Sequence, residues 1–160
     1  MLFPSIKVFA FQTLIAAVLA AGSPGCQKPK EPAAAAPEPL PAIATTEDVK
    51  AAVSKAGSRM VVIDFYADWC KPCRALAPVV RELAAEHKEK ADFYRANVDG
   101  NAELSEAFGI RGIPYVVFMK NDSVVYALTG LNPKERYAEI LTVCGKAASA
   151  ADCIKRLDKE

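Results

Sequence analysis

The chain has 160 residues, 52% of them hydrophobic and 24% charged, the composition of one globular domain with length to spare. That balance excludes disorder throughout, a collagen-like rod and a polytopic membrane protein. Twenty Lys+Arg against nineteen Asp+Glu leave a formal charge of +1, too weak a field to point to a nucleic-acid partner, and an odd count of five cysteines leaves one to be explained outside a pair.

Residues 1–25 have the layout of an export signal: the single charge of Lys7, an apolar run from Val8 to Ala21 broken only by Gln12 and Thr13, then the small residues Ala20 to Ser23. At ~1.5 Å per residue the run spans roughly 21 Å, short of a ~30 Å hydrocarbon core, so an uncleaved membrane anchor is the alternative reading. Ser23-Pro24-Gly25-Cys26 resembles the lipobox of bacterial lipoproteins, in which the cysteine takes the lipid and becomes the new N-terminus. Ser23 and Pro24 depart from the leucine and the small residue that family favours there. Cleavage near Ala21 or Gly22, leaving a soluble protein with a free Cys26, is the other route. Residues 26–44 are rich in Pro and Ala, with prolines at 29, 32, 37, 39 and 41. Such a segment favours extended polyproline II and can act as a tether reaching on the order of 50 Å.

The globular domain is expected over residues 45–143. Thr45 and Thr46 with acids behind them, and Gly57 beyond, predict a helix near 46–56. Met60 to Tyr66 is a nearly unbroken apolar, β-branched run, the mark of a strand covered on both faces. From Cys73 to about Lys90, Leu76, Val79, Val80, Leu83 and Ala84 have helical spacing, with Pro78 expected to kink the helix. Asp92 to Val98 reads as a second strand, Asn101 as the cap of a short helix through Phe108, and Tyr115 to Lys120 as a third strand. Asn121-Asp122 turns the chain into a fourth, Ser123 to Thr129. Asn132-Pro133 opens a last long helix to about Val143, with Pro133 at its first turn. The order is that of an α/β domain with a mixed sheet and helices on both faces.

The chemistry centres on Trp69-Cys70-Lys71-Pro72-Cys73, directly after the buried strand and opening a helix. Unpaired N–H groups and the positive end of the helix dipole favour thiolate at Cys70, the species that attacks a disulfide. Cys73, one turn further in, is placed to resolve the mixed disulfide, and Pro72 suits the first helical turn and stiffens the pair. A zinc site would need a second close ligand pair, but eight residues separate Cys144 from Cys153 where about two to four are usual, and His87 is the one histidine. A soft copper site lacks Met or His near the thiols. No metal or other cofactor is implied. Asp64 interrupts the buried strand, where an unpaired carboxylate is costly and its pKa should rise.

With these motifs in order, Met60 to Leu141 resembles the thioredoxin family. The resemblance rests on Asp64 to Cys73, Pro78, Asn97-Val98-Asp99, Phe108 to Pro114, and Gly130 ahead of the last helix. Tyr66 to Cys70 and Ala96-Asn97-Val98 also resemble the periplasmic thioredoxin-like domain of the membrane transporters that carry reductant across the inner membrane. The resemblance implies a thioredoxin fold, a proton-handling role for Asp64 toward Cys73, and a cis peptide at Pro114. Ile113 would then be free to pair with an extended client, and Trp69 would form part of the apolar rim. Lys71 stands where the family has glycine and should make the pair somewhat more oxidising. Tyr115 stands where the family has a threonine and should narrow the range of partners, and Arg95 stands in for a lysine near Asp64. His87 reads as a solvated surface residue.

Residues 144–160 form an extension. Ser149 to Asp152 resembles a capping box, so a short helix should carry Cys153 back against the domain, and a Cys144–Cys153 disulfide would close a ten-residue loop worth about 2.7 kcal/mol. A second redox couple is the alternative. Five cysteines then divide into a lipid-bearing Cys26, a catalytic pair and a structural pair. The expected protein is a monomeric thiol-disulfide oxidoreductase on the periplasmic side of a bacterial membrane, held there by a lipid anchor, or soluble in the periplasm. It would reduce disulfide-bearing client proteins with electrons from a membrane reductant transporter. The rivals are an oxidase or isomerase of the same fold and a non-enzymatic peptide-binding module.

Overall fold

A computed structural model describes residues 39–159. The expected signal peptide, Cys26 and the first part of the tether lie outside the described residues. Among these no helix is long and apolar enough to cross a membrane.

The element order is α1 (Thr46–Ala56), β1 (Met60–Tyr66), α2 (Lys71–Glu86), β2 (Ala91–Asn97), α3 (Ala102–Ala107), β3 (Tyr115–Lys120), β4 (Ser123–Thr129), α4 (Lys134–Cys144) and α5 (Ala150–Leu157). The four strands form one sheet in the order β2-β1-β3-β4. β1 runs parallel to β2 and antiparallel to β3, and β3 is antiparallel to β4. Side chains of β1 alternate between two apolar layers. Met60 and Val62 pack with Leu76, Val80 and Leu83 of α2 and with Tyr137, Ile140 and Leu141 of α4. Val61, Ile63 and Phe65 pack with Val49, Ala52 and Val53 of α1 and Leu104 of α3. Cover on both faces is why β1 reads as a continuous apolar run.

Local signals explain most boundaries. Thr45 accepts from the Asp48 backbone N–H while the Asp48 carboxylate accepts from the Thr45 N–H, and Gly57 ends α1 at φ 60°. Asn121 and Asp122 both take positive φ, 49° and 60°, as a two-residue hairpin turn requires. α2 continues through Pro78. Two expected caps differ. Asn101 makes no side-chain cap, because its amide donates to the Asn97 carbonyl. Pro133 is the residue before α4 rather than its first turn, and the Asn132 amide donates to the Thr129 and Gly130 carbonyls. His87 ends α2 half-buried, and desolvation lowers its pKa, with the nearby cations Lys90 and Lys134 adding to that and Glu86 opposing it.

The folded unit also begins ahead of Thr45. Ile43 is buried, its N–H donates to the Arg95 carbonyl at 2.8 Å, and the Arg95 N–H donates to the Pro41 carbonyl at 3.0 Å. Ala42 thus bridges to β2, and the tether expected to reach residue 44 ends short of Leu40, which packs on the core.

At the other end, Ser149 caps α5 by accepting from the Asp152 N–H, and Cys153 is bonded to Cys144 at the close of α4. Both sulfurs are buried.

Candidate active site

β1 delivers the chain to the site. Its last residue, Tyr66, is followed by Ala67, whose carbonyl accepts from the Cys70 N–H at 3.1 Å, a tight turn that sets Cys70 at the N-cap of α2. Capping residues ordinarily offer an oxygen to the free N–H groups of the first turn. Here the Cys70 sulfur takes that place, and the Cys73 N–H points at it from 3.2 Å. A fixed donor and the dipole end of a sixteen-residue helix both stabilise negative charge on that sulfur. Cys70 and Cys73 are bonded to each other, with Cα atoms 5.3 Å apart. Cys70 keeps 4% of its surface exposed and Cys73 1%, so Cys70 is the more accessible of the two. Ala67, Tyr66, Val98 and Ile113 pack around the pair.

Asp64 is fully buried on β1. By strand alternation it shares the face of Val62, which packs under α2, and of Tyr66, which packs by Cys73. Its carboxylate therefore lies under the helix that carries Cys73. The β1–β2 register sets Arg95 opposite Asp64, and Arg95 Nε donates to Asp64 Oδ2 at 3.0 Å. Asp64 Oδ1 has no hydrogen-bond partner among the described residues. Burial pushes the Asp64 carboxyl above its ordinary value, and the Arg95 cation and its hydrogen bond offset part of that rise. The Arg95 guanidinium also lies over the Tyr66 ring, 3.6 Å from its centroid.

The rim is built from three loops. Trp69 is 68% exposed, which excludes a core-packing role, and its indole N–H donates to Asp99 Oδ1 at 3.2 Å. The Asp99 N–H in turn donates to Asn97 Oδ1 at 2.9 Å. The Ile113–Pro114 peptide is cis and Pro114 is buried, its carbonyl accepting from the Gly130 N–H at 2.8 Å. Ile113 is half-buried, and its backbone N–H and carbonyl make no backbone hydrogen bond among the described residues. Lys71 is exposed on the first turn and forms no ion pair among the described residues, and Pro72 follows it at the second helical position. Arg74 is taken up by the Asp68 carbonyl at 2.7 Å.

The arrangement unites Cys70, Cys73, Ile113 and Pro114 at one end of the sheet, places Trp69 beside them and Asp64 below. Tyr115, half-buried next to Pro114, sets its ring 6.4 Å from that of Phe65 and packs against the core beneath the site. Two further residues complete the site. Asp99 holds the indole, and Tyr66 holds the Arg95 cation; the Asn97-Val98-Asp99 motif was the available signal for the first. Among the described residues no group of His, Cys, Asp or Glu is placed to hold a metal ion.

A mixed four-stranded sheet, helices on both faces, and a dithiol pair at a helix start, packed against Ile113 of the cis Ile113–Pro114 peptide, define a thiol-disulfide oxidoreductase. The thioredoxin family model matches residues 41–143, and the chain belongs to that family. A thioredoxin of Staphylococcus aureus is 39% identical over 88 residues, 55% of this chain and 85% of the relative. Among solved structures, the thioredoxin of Fasciola hepatica is similar at 32% identity and a TM-score of 0.61, covering 64% of this chain and 97% of that one. The germline-specific thioredoxin Deadhead of Drosophila melanogaster is similar at 26% identity and a TM-score of 0.59, covering 64% and 97%. The family match leaves residues 1–40 and 144–160 of this chain outside it.

Proposed function

We propose that this protein is a membrane-tethered reductase of protein disulfides in the cell envelope. The Cys70 thiolate attacks one sulfur of a client disulfide, forming a mixed disulfide and releasing one client thiolate. The Cys73 thiol gives up its proton to Asp64 Oδ1 and attacks the Cys70 sulfur. The second client thiolate leaves, and the Cys70–Cys73 disulfide forms. Two electrons pass from the pair to the client, and a dithiol donor protein must restore them. A membrane transporter of reductant is the donor class that suits a protein held on the periplasmic face by a lipid on Cys26. Clients would bind as an added strand along the open backbone of Ile113, beside Pro114 and Trp69. No cofactor takes part, and the protein acts as a monomer.

The observation that carries the reading is the Cys73 N–H aimed at the Cys70 sulfur beside an unpaired Ile113 edge. A Cys73→Ala variant made in cells should accumulate mixed disulfides through Cys70, resolved on non-reducing gels. A variant that traps no client would favour a peptide-binding module instead. One observation favours an oxidase as the second reading: the unpaired Lys71 cation next to Cys70 stabilises the thiolate and thereby the reduced pair.

A further inference from the structure

Charge is unevenly distributed over the domain. β1 and β2 begin, and β3 turns into β4, at the end of the sheet away from the cysteines, and α1, α2 and α4 finish there beside α5. Residues 55–60, 86–92, 120–123 and 144–159, which make up this end, carry nine Lys and Arg against six Asp and Glu. The remaining described residues carry eight against ten.

The basic groups are contiguous. A cavity of about 320 Å³ around Leu141 is lined by Arg59, Lys90 and Lys146, three cations against the single carboxylate of Glu89. A neighbouring hollow shares Lys146 and Thr142 and adds Arg156 and Lys159. Arg59 pairs at 2.8 Å with Asp92, which lines a third hollow together with Lys55 and Lys88. A cation past a helix end commonly offsets the helix dipole. At α4, though, Lys120 already donates to the Gly145 and Ala147 carbonyls, which leaves Lys146 free. Lys55, Lys88, Lys90, Lys146 and Lys159 form no ion pair among the described residues.

Leu40 and Pro41 line the same hollow as Lys55 and Lys88, so the N-terminal chain joins the domain at this basic end. The cysteines lie at the opposite end of β1, seven residues or about 20 Å along the strand. We propose that the basic end docks on an anionic phospholipid surface and turns Cys70, Trp69 and the Ile113 edge outward, toward clients. The proposal rests on the reading that the chain is tethered to a membrane. Dispersed headgroups suit separate lysines on flexible stems, and the attraction is of the kind salt screens within about 8 Å at physiological strength.

The test uses the full exported protein reconstituted on vesicles of phosphatidylcholine alone or mixed with phosphatidylglycerol, with amine-reactive labelling read lysine by lysine. Labelling of Lys88, Lys90 and Lys146 should fall about fivefold on the anionic vesicles, the factor one lysine–headgroup interaction supplies, and recover in high salt. Lys71, at the redox end, should label equally on both. Combining Lys90→Glu, Lys146→Glu and Lys159→Glu should abolish the protection of Lys55 and Lys88. Equal labelling on both vesicles overturns docking while the tether reading stands, as does protection that persists on neutral vesicles, which would mean a second copy covers the face. Salt-sensitive binding to anionic vesicles alone, with none to neutral ones, upholds docking and overturns the lipid anchor. Binding to neither overturns both.

Discussion

Asp64 has two tasks that pull against each other, and both can be measured. A carboxyl whose folded-state pKa lies above its unfolded value holds its proton more tightly in the folded chain. Its contribution to stability is therefore fully present below about pH 3.8, the ordinary value, and is lost as pH rises through the raised folded pKa. Asp64→Asn keeps an oxygen for Arg95 Nε and removes the charge. It should be more stable than the wild type to urea at neutral pH, with the difference closing below about pH 3.8. The same variant should release mixed disulfides roughly a hundredfold more slowly, the low end of what a positioned acid or base supplies. Greater stability joined to slower turnover is the pattern of a residue kept for chemistry. Arg95→Met should move the acid limb of the pH–rate profile upward, since Arg95 pulls the Asp64 pKa down against the larger effect of burial. An unmoved profile would remove Arg95 from the account.

The elements owe their positions to local signals where those exist and to register where they do not. The capping box of α1 and the two-residue turn between β3 and β4 are both written in neighbouring side chains, and all the expected helices and strands occur in their expected order. The contacts that sequence patterning did not reveal cross long separations. Arg95 meets Tyr66 and Asp64 because of the β1–β2 pairing, Asp99 meets Trp69 across thirty residues, and the 41–43 segment joins β2 through backbone bonds that carry no side-chain signature. Asn101 and Pro133 depart from their local signals for a related reason: a side chain with the right chemistry at a helix start finds a nearer carbonyl, or stands one residue early. At this scale the extension is the clearest test. Changing Cys144 and Cys153 together to Ser should lower stability by about 2.7 kcal/mol in chemical denaturation and leave the redox activity of Cys70 and Cys73 intact. Loss of that activity would instead make the second pair a relay. Thr45→Ala should cost about 1 kcal/mol through the lost cap of α1.

Across the whole molecule, the catalytic domain was legible because several motifs stood in order, each with its own physical task. The tether, the lipid on Cys26 and the compartment belong to the proposed function, and intact mass checks the first step directly: the exported protein should begin at Cys26 and carry added acyl mass, whereas a free Cys26, or a chain that begins upstream of it, would overturn the lipid anchor. The proposal joins attachment to a membrane with a basic end near the point where the N-terminal chain enters the domain and a redox face at the other end: a reductase held at a surface with its active site turned toward clients. Such a protein must be kept supplied with electrons. Trapping thiols in living cells and separating the two states of the Cys70–Cys73 pair tests that claim most directly. The account predicts a pair that is mostly reduced and becomes oxidised when the donor is removed; a pair found mostly oxidised in unperturbed cells would contradict it.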